Sequence, residues 1–287
     1  MDLVSYCRLV GIQISAPPAI GVWTSHQTDD KPTKKNGRVK NMGDFAFVQN
    51  WATMPDVAVW KPDDGDAGPT IDHAEVARVI EKQRLEREQA AQKAAKLAGW
   101  ILHQCHLESH PYLVDKGFPE EQGNVWTREK DGERKKLLVI PMRVDGHLVG
   151  CQLISESGEK KFLTGQRTDG AVFCIDNKGP PILVEGYAKA LAVRVAMRAL
   201  KRRYKLLVCF SAGNMARIAR DLPDAFIVAD LDEPSLQVPT YGGMGLKVAK
   251  ESGRPYWISS KTGQDFDKFL RDVGVFKASQ ALRAAMA

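Results

Sequence analysis

Two short apolar runs, each ending on acidic residues, constrain this chain more than anything else in it. Ile182-Leu183-Val184 ends on Glu185-Gly186, and Ala225-Phe226-Ile227-Val228-Ala229 ends on Asp230-Leu231-Asp232. Runs of this length bounded by Pro, Gly or charge read as buried strands. Between them, apolar residues at 188, 191, 192, 195, 196 and 199 make the stripe of a helix lying on a sheet. In open α/β sheets the ligand site lies beyond the carboxyl ends of the strands, where Glu185, Asp230 and Asp232 would arrive together. Asp230 and Asp232, two apart on extended backbone, point the same way. Carboxylates gathered like this repel one another unless a cation neutralises them, and hard oxygen ligands suit Mg2+ or Mn2+.

In order and spacing, ILVEGYAKALAV followed by FIVADLD resembles the Toprim catalytic domain shared by bacterial-type primases, type IA and type II topoisomerases and some nucleases. The wording is most similar to the Toprim primases of phages and plasmids. The resemblance implies a Rossmann-like sheet with helices on both faces, in a chain that is α/β here and α+β as a whole. It also implies DNA-template-directed synthesis of short RNA primers from NTPs, with Glu185, Asp230 and Asp232 as catalytic metal ligands. Gln264-Asp265-Phe266-Asp267 resembles the primase segment that adds carboxylates, so Asp265 and Asp267 join the metal set; a helix N-cap and a first-turn acid are the structural alternative. One position departs from the replicative pattern EGYxD: Lys189 stands where that pattern has Asp. A cation there could hold a nucleotide phosphate.

The chain before this domain reads in three parts. Residues 1–66 form a small β-rich module, with strands at Val22-Trp23, Phe45 to Val48 and Val57 to Trp60 between turn signals such as Lys34-Lys35-Asn36-Gly37. The order DDKPTKKNGRVK then FAFVQNW resembles the N-terminal part of phage primases, which implies template holding. Lys31, Lys34, Lys35, Arg38 and Lys40 could meet phosphates, and Trp23, Trp51 or Trp60 could stack on bases; a solvated loop over buried tryptophans is the plainer alternative. Residues 67–104 read as a connecting helix capped by Thr70 with Asp72 in its first turn, charged nearly all round. Residues 105–179 read as a β-rich subdomain with strands at 137–141, 147–154, 160–163 and 171–175. This segment resembles the basic region before Toprim in primases, which makes Arg143 and Lys161, then Lys160 and Arg167, the candidate contacts to nucleotide or template. His103, Cys105, His106 and His110 match no usual zinc spacing, and HPYLVDKG resembles a structural segment of the family.

The Toprim part spans 180–276 and ends in a tail, 277–287, read as a helix more prone to fray than to dock. Its loop Glu233 to Gly245 is long enough to cover the site, and its GGMG could approach phosphate. A net charge of +6 with pI near 9.0 fits a polyanion partner such as single-stranded DNA. Five scattered cysteines without a C-x-x-C pair argue against a disulfide framework and a zinc ribbon. No apolar run approaches the roughly 20 residues that span a bilayer, and no leader is legible, so the expectation is a cytoplasmic protein, the bacterial host cytoplasm if phage- or plasmid-encoded. No G-x-x-x-x-G-K-[ST] occurs, so a replicative helicase would be a separate chain. Two other functions share these residues: a Toprim nuclease using the same metals, and a non-catalytic single-stranded DNA-binding accessory protein.

Overall fold

The computed structural model describes residues 1–54, 56–62, 73–130, 132–232 and 243–287. The chain is a mixed α/β protein, α+β in class, with seven helices and three sheets among the described residues. It divides into two compact units, one centred on Met1–Glu88 and one on Gln89–Pro234 with Thr240–Ala287. None of the helices among the described residues is long and apolar enough to cross a membrane.

In the first unit, helix α1 (Leu3–Leu9) starts at Asp2, whose carboxylate accepts from the Ser5 amide at 2.8 Å. Strands β1 (Trp23–His26), β2 (Gly37–Asn41), β3 (Ala46–Asn50) and β4 (Ala58–Trp60) follow as an antiparallel meander. Alternation explains its two faces. Val39, Ala46 and Val48 are buried with Leu3 and Cys7 of α1 and with Ile12 and Ile14. The register puts Trp23, Lys40 and Phe47 in one cross-strand row on the other face. Helix α1 was not legible in the sequence, and Arg38 and Lys40 lie on β2 rather than in a loop, because Val39 between them is a core residue.

Helix α2 (His73–His103) carries the charged segment; its expected cap Thr70 and Asp72 lie outside the described residues, as does the turn Asp63-Asp64-Gly65. Its C-terminal turns, through Ala98 and Ile101, pack on Val139 and Cys151. The second unit continues with β5 (His106–Glu108), α3 (Pro111–Asp115), β6 (Gly123–Lys130), β7 (Glu133–Val144), β8 (His147–Ser155) and β9 (Lys160–Phe162), the five strands forming an antiparallel sheet in chain order. The hairpin β7–β8 turns at Asp145 and Gly146, both at positive φ (49° and 81°), as a two-residue turn with matched twist requires.

His110 is fully buried and is no metal ligand in waiting. Its Nδ1 accepts from the Tyr112 amide at 3.3 Å, capping α3, and its Nε2 lies 3.3 Å from the Lys136 carbonyl. Acceptance at Nδ1 requires the neutral ring, and burial, outweighing the opposing pull of the Lys136 carbonyl, holds its pKa below the ordinary histidine value. A depressed folded-state value means that stability is complete above the unfolded pKa and is lost as pH falls through it. Melts of the wild type between pH 7.5 and 5.5 should therefore lose up to about 1.4 kcal/mol per pH unit more than His110→Asn, which caps without titrating. Parallel loss in both proteins would remove this role.

A third sheet is built from β10 (Phe173–Asp176), β11 (Pro181–Val184), β12 (Lys205–Val208), β13 (Phe226–Val228) and β14 (Tyr256–Trp257), in the order β10-β12-β11-β13-β14. The last four run parallel and β10 is an antiparallel edge. The sequence had grouped residues 171–175 with the preceding β-rich segment; Val172 does bridge Arg143 of β7, but β10 from Phe173 pairs with β12, since alternation marks a strand without marking its partner. Helices α4 (Tyr187–Ala199) and α7 (Phe266–Ala285) cover one face over Ile182, Val184, Leu206 and Val228. Helices α5 (Ala212–Asp221) and α6 (Gly243–Ser252) cover the other over Leu183, Leu207 and Ile227. The tail from 277 is no frayed end: Ala278 and Leu282 are fully buried in the same core as α4.

Candidate active site at the carboxyl rim of the parallel sheet

From β11 the chain crosses to β12 on one side and later returns to β13 on the other, so the strand order reverses between β11 and β13. That is the switch point at which parallel sheets open a crevice. Val184 pairs with Val228, so Glu185 and Asp230 leave the sheet on neighbouring strands at this place. The junction is held closely. Gly243, at φ 82°, comes so near Asp232 that a Cβ would lie 2.6 Å from the Asp232 Cβ, and one on Gly245 would lie 3.0 Å from the Asp230 amide nitrogen. These two glycines of the expected GGMG loop serve close packing of α6 on the acidic turn; Gly242 lies outside the described residues.

A cavity of about 250 Å³ opens at the rim. Glu185, Gly186, Phe210 and Asp230 follow the ends of β11, β12 and β13, and Lys189 comes from α4; the start of α7 contributes Asp265 and Asp267; Tyr112 and Lys116 come from α3 and its end; Gln152 and Lys160 come from β8 and β9. Asp265 is both rim acid and N-cap, accepting from the Lys268 amide at 3.3 Å.

Charges of both signs share this space. Lys189, 4% exposed, forms an ion pair with Oδ1 of Asp230. Lys116 Nζ lies 3.4 Å from Oδ2 of Asp267, with Arg271 Nη2 at 3.9 Å from the same oxygen. That oxygen is buried and has no hydrogen-bond partner. Burial pushes the Glu185 carboxyl above its ordinary range, Lys189 opposes the shift, and Asp230 and Asp232 add to it. Asp232 is likewise raised by burial and by Asp230, and Asp267 by burial and by Asp265. Burial, with Lys116 and Lys189 nearby, holds Lys160 below the usual lysine range. Asp230 thus bears on both Glu185 and Asp232, while Asp232 does not itself line the cavity.

The donors fit a hard divalent cation: carboxylate oxygens only, mutually repelling, one of them buried without a hydrogen-bond partner. They are not drawn into a closed cage. Among the described residues no group of three or more His, Cys, Asp and Glu side chains is placed to hold a metal, and lysine ammonium groups stand against two of the acids.

Of the cations expected from sequence, Lys160 and Lys189 reach the cavity and Arg143, Lys161 and Arg167 do not line it. Register explains the first contrast: Lys160 and Phe162 lie opposite Ile154 and Gln152 on one face, and Lys161 lies opposite Leu153 on the other. Lys161 is exposed and paired with Glu159 at 3.0 Å. The Arg143 guanidinium donates to the Gly146 carbonyl at 3.0 Å, and Arg167 donates to the Asp169 carbonyl at 3.0 Å. Lys34, Lys35, Arg38 and Trp51 belong to the first unit.

Sequence reasoning missed Lys116, Tyr112, Gln152 and Phe210. Lys116 follows a short helix and precedes Gly117 at φ 86°; nothing local ties it to Asp267. Phe210 sits at φ 66°, a left-handed conformation that a bulky residue rarely adopts. It is fastened there by its amide donating to the Glu185 carbonyl at 2.9 Å and by an edge contact with Phe162 at 6.2 Å. No protein-family model matches the chain, and no curated protein matches it.

Proposed function

We propose that this chain makes short RNA primers on single-stranded DNA by metal-dependent nucleotidyl transfer, as the phage and plasmid Toprim primases it resembles do. The observation that carries the reading is the cavity at the switch point, where carboxylates from adjacent parallel strands face lysines from three separate elements. Acids alone would serve a nuclease equally. Fixed cations opposite them suit a substrate that brings a polyphosphate.

Glu185, Asp230 and Asp232 would hold Mg2+ or Mn2+, with Asp265 and Asp267 behind them. Bound there, the ion supplies Lewis acidity and a more acidic 3′-hydroxyl. Lys160, on the face of β9 turned to the cavity, holds phosphate oxygens of the incoming nucleotide. Phe210 and Tyr112 wall the cavity. Replacing Lys160 by Ala should lower incorporation at least tenfold, whereas the same change at Lys161 should lower it less than about twofold. Equal losses would mean that the cavity is not where nucleotides are held.

In the first unit, Trp23 and Phe47 stand with ring centroids 6.2 Å apart, and the Arg38 guanidinium lies 5.9 Å from the Trp23 ring. Trp23 and Phe47, with Lys40 between them in the cross-strand row and Arg38 beside Trp23, suit stacked bases and their phosphates, so this face is assigned to the template. Lys34 and Lys35 lie in the loop leading to β2 and Trp51 just after β3, where they would extend the same contact. Trp60 is structural, donating to the Met1 carbonyl at 3.1 Å. Replacing Trp23 and Phe47 together by Ala should weaken oligo-dT binding roughly tenfold or more, by loss of about 1–3 kcal/mol per stacked base. Unchanged anisotropy of a labelled oligonucleotide would contradict it. A separate helicase and a bacterial cytoplasmic setting complete the proposal.

The test is purified chain with single-stranded templates, labelled NTPs and MgCl2 or MnCl2. Oligoribonucleotides whose sequence complements the template are expected. Template cleavage without joining would favour the nuclease, and binding alone would favour the accessory protein.

A further inference from the structure

The cavity holds four lining carboxylates, Glu185, Asp230, Asp265 and Asp267, and three lysines, Lys116, Lys160 and Lys189. Two of the lysines are committed. Lys189 pairs with Asp230, the side chains 4% and 18% exposed, and Lys116 pairs with Asp267, 28% and 2% exposed. Lys160 belongs to neither pair: its charge lies beside Gly186, about 3.7 Å from where a Cβ on that glycine would sit. Pairs this far from water gain little net energy, since desolvating both charges offsets most of their attraction. Each partner is thus ready to leave for a better one. Divalent cations prefer the carboxylates, and phosphate oxygens prefer the ammonium groups. Asp267 adds a sign of this, because its buried Oδ2 faces Lys116 yet has no hydrogen bond.

We infer that Lys116 and Lys189 are exchangeable counter-ions, which neutralise Asp267 and Asp230 until a divalent cation and a polyphosphate arrive together and take one side of each pair. The inference rests on the reading of the cavity as a nucleotide site and goes beyond it in assigning a cost to either ligand alone. A cation by itself must displace ammonium groups that then have no partner. A triphosphate by itself must draw those lysines from their carboxylates, leaving Asp230 without Lys189 and Asp267 with only Arg271 at 3.9 Å. Together they exchange partners without stranding a charge. Each ligand must then raise the affinity of the other by the same factor, because coupling free energy is reciprocal.

The experiment uses the full chain and two probes, MnCl2 followed by electron paramagnetic resonance and labelled ATP followed by equilibrium dialysis. Wild type should retain ATP at least about fivefold better in MnCl2 than in EDTA, within the usual range of site coupling. Lys189→Met and Lys116→Met should each raise the affinity for Mn2+ alone about fivefold or more and lower retention of ATP with Mn2+. Lys160→Met removes the same charge from the same cavity without freeing a carboxylate, and should change Mn2+ affinity less than about twofold. Should Lys189→Met fail to fold, by circular dichroism, the half-buried Lys116 carries the test. The inference is overturned if neither variant gains Mn2+ affinity, or if Lys160→Met gains as much as they do. Tighter Mn2+ binding in the two variants with no primer made by wild type would keep the exchange and sink the primase reading; primers made with unaltered Mn2+ affinity would do the reverse.

Discussion

Asp230→Asn should lower template-dependent incorporation by roughly a thousandfold, the scale expected when a fixed charge aimed at a polar transition state is removed. The change has a second effect that must be separated from the first. Asp230 neutralises Lys189, which is 4% exposed, and an ammonium left unpaired inside the protein destabilises it by up to about 3 kcal/mol. Partial exposure of Asp230 keeps the figure at that lower end. The double variant Lys189→Met with Asp230→Asn removes both members of the pair, so its melting temperature should return toward that of the wild type. Its activity should not return. A double variant that regains both would show that Asp230 serves only to support Lys189.

Phe266→Ala should be the most damaging change outside the charged residues. The ring is fully buried, packed edge-on against Trp257 with centroids 4.7 Å apart and against Phe269 at 6.1 Å. Truncation of such a side chain typically destabilises by about 3–5 kcal/mol, through lost burial and the cavity left behind. Here the loss also reaches the site. Phe266 lies between Asp265 and Asp267 in the first turn of α7, and its packing fixes where those carboxylates stand. Urea melts should show the full loss for Phe266→Ala and a smaller one for Phe266→Leu, which refills most of the space. Incorporation should fall in proportion to the displaced acids even where the variant is folded. An Ala variant with wild-type stability would contradict the assigned role of this aromatic cluster.

What the sequence disclosed was the part governed by local pattern and by chain order. Apolar runs ending on Glu185 and Asp230, joined through a helical stripe, led to adjacent parallel strands, and Val184 does pair with Val228. Asp265 and Asp267 were named from the resemblance of their segment to that of primases, and both line the cavity. What escaped depends on partners distant in the chain. Alternation assigned residues 171–175 to a strand but could not say that β10 would join β12. Lys160 and Lys161 are neighbours, and a one-residue difference in a strand decides which faces the cavity; only the register against β8 settles it. Lys116 had no local signal because its meaning lies in Asp267. Lys189 was noticed as a departure, yet its pairing with Asp230 required the sheet to bring α4 beside β13.

The most direct measurement is anomalous scattering from crystals grown with MnCl2 and a non-hydrolysable nucleoside triphosphate. The account predicts manganese within ordinary coordination distance, about 2–2.5 Å, of oxygens from Glu185 and from Asp230 or Asp232, with Lys189 turned from Asp230 to phosphate. Manganese bound elsewhere, with Glu185 facing away from the two aspartates and Lys189 still on Asp230, would contradict it.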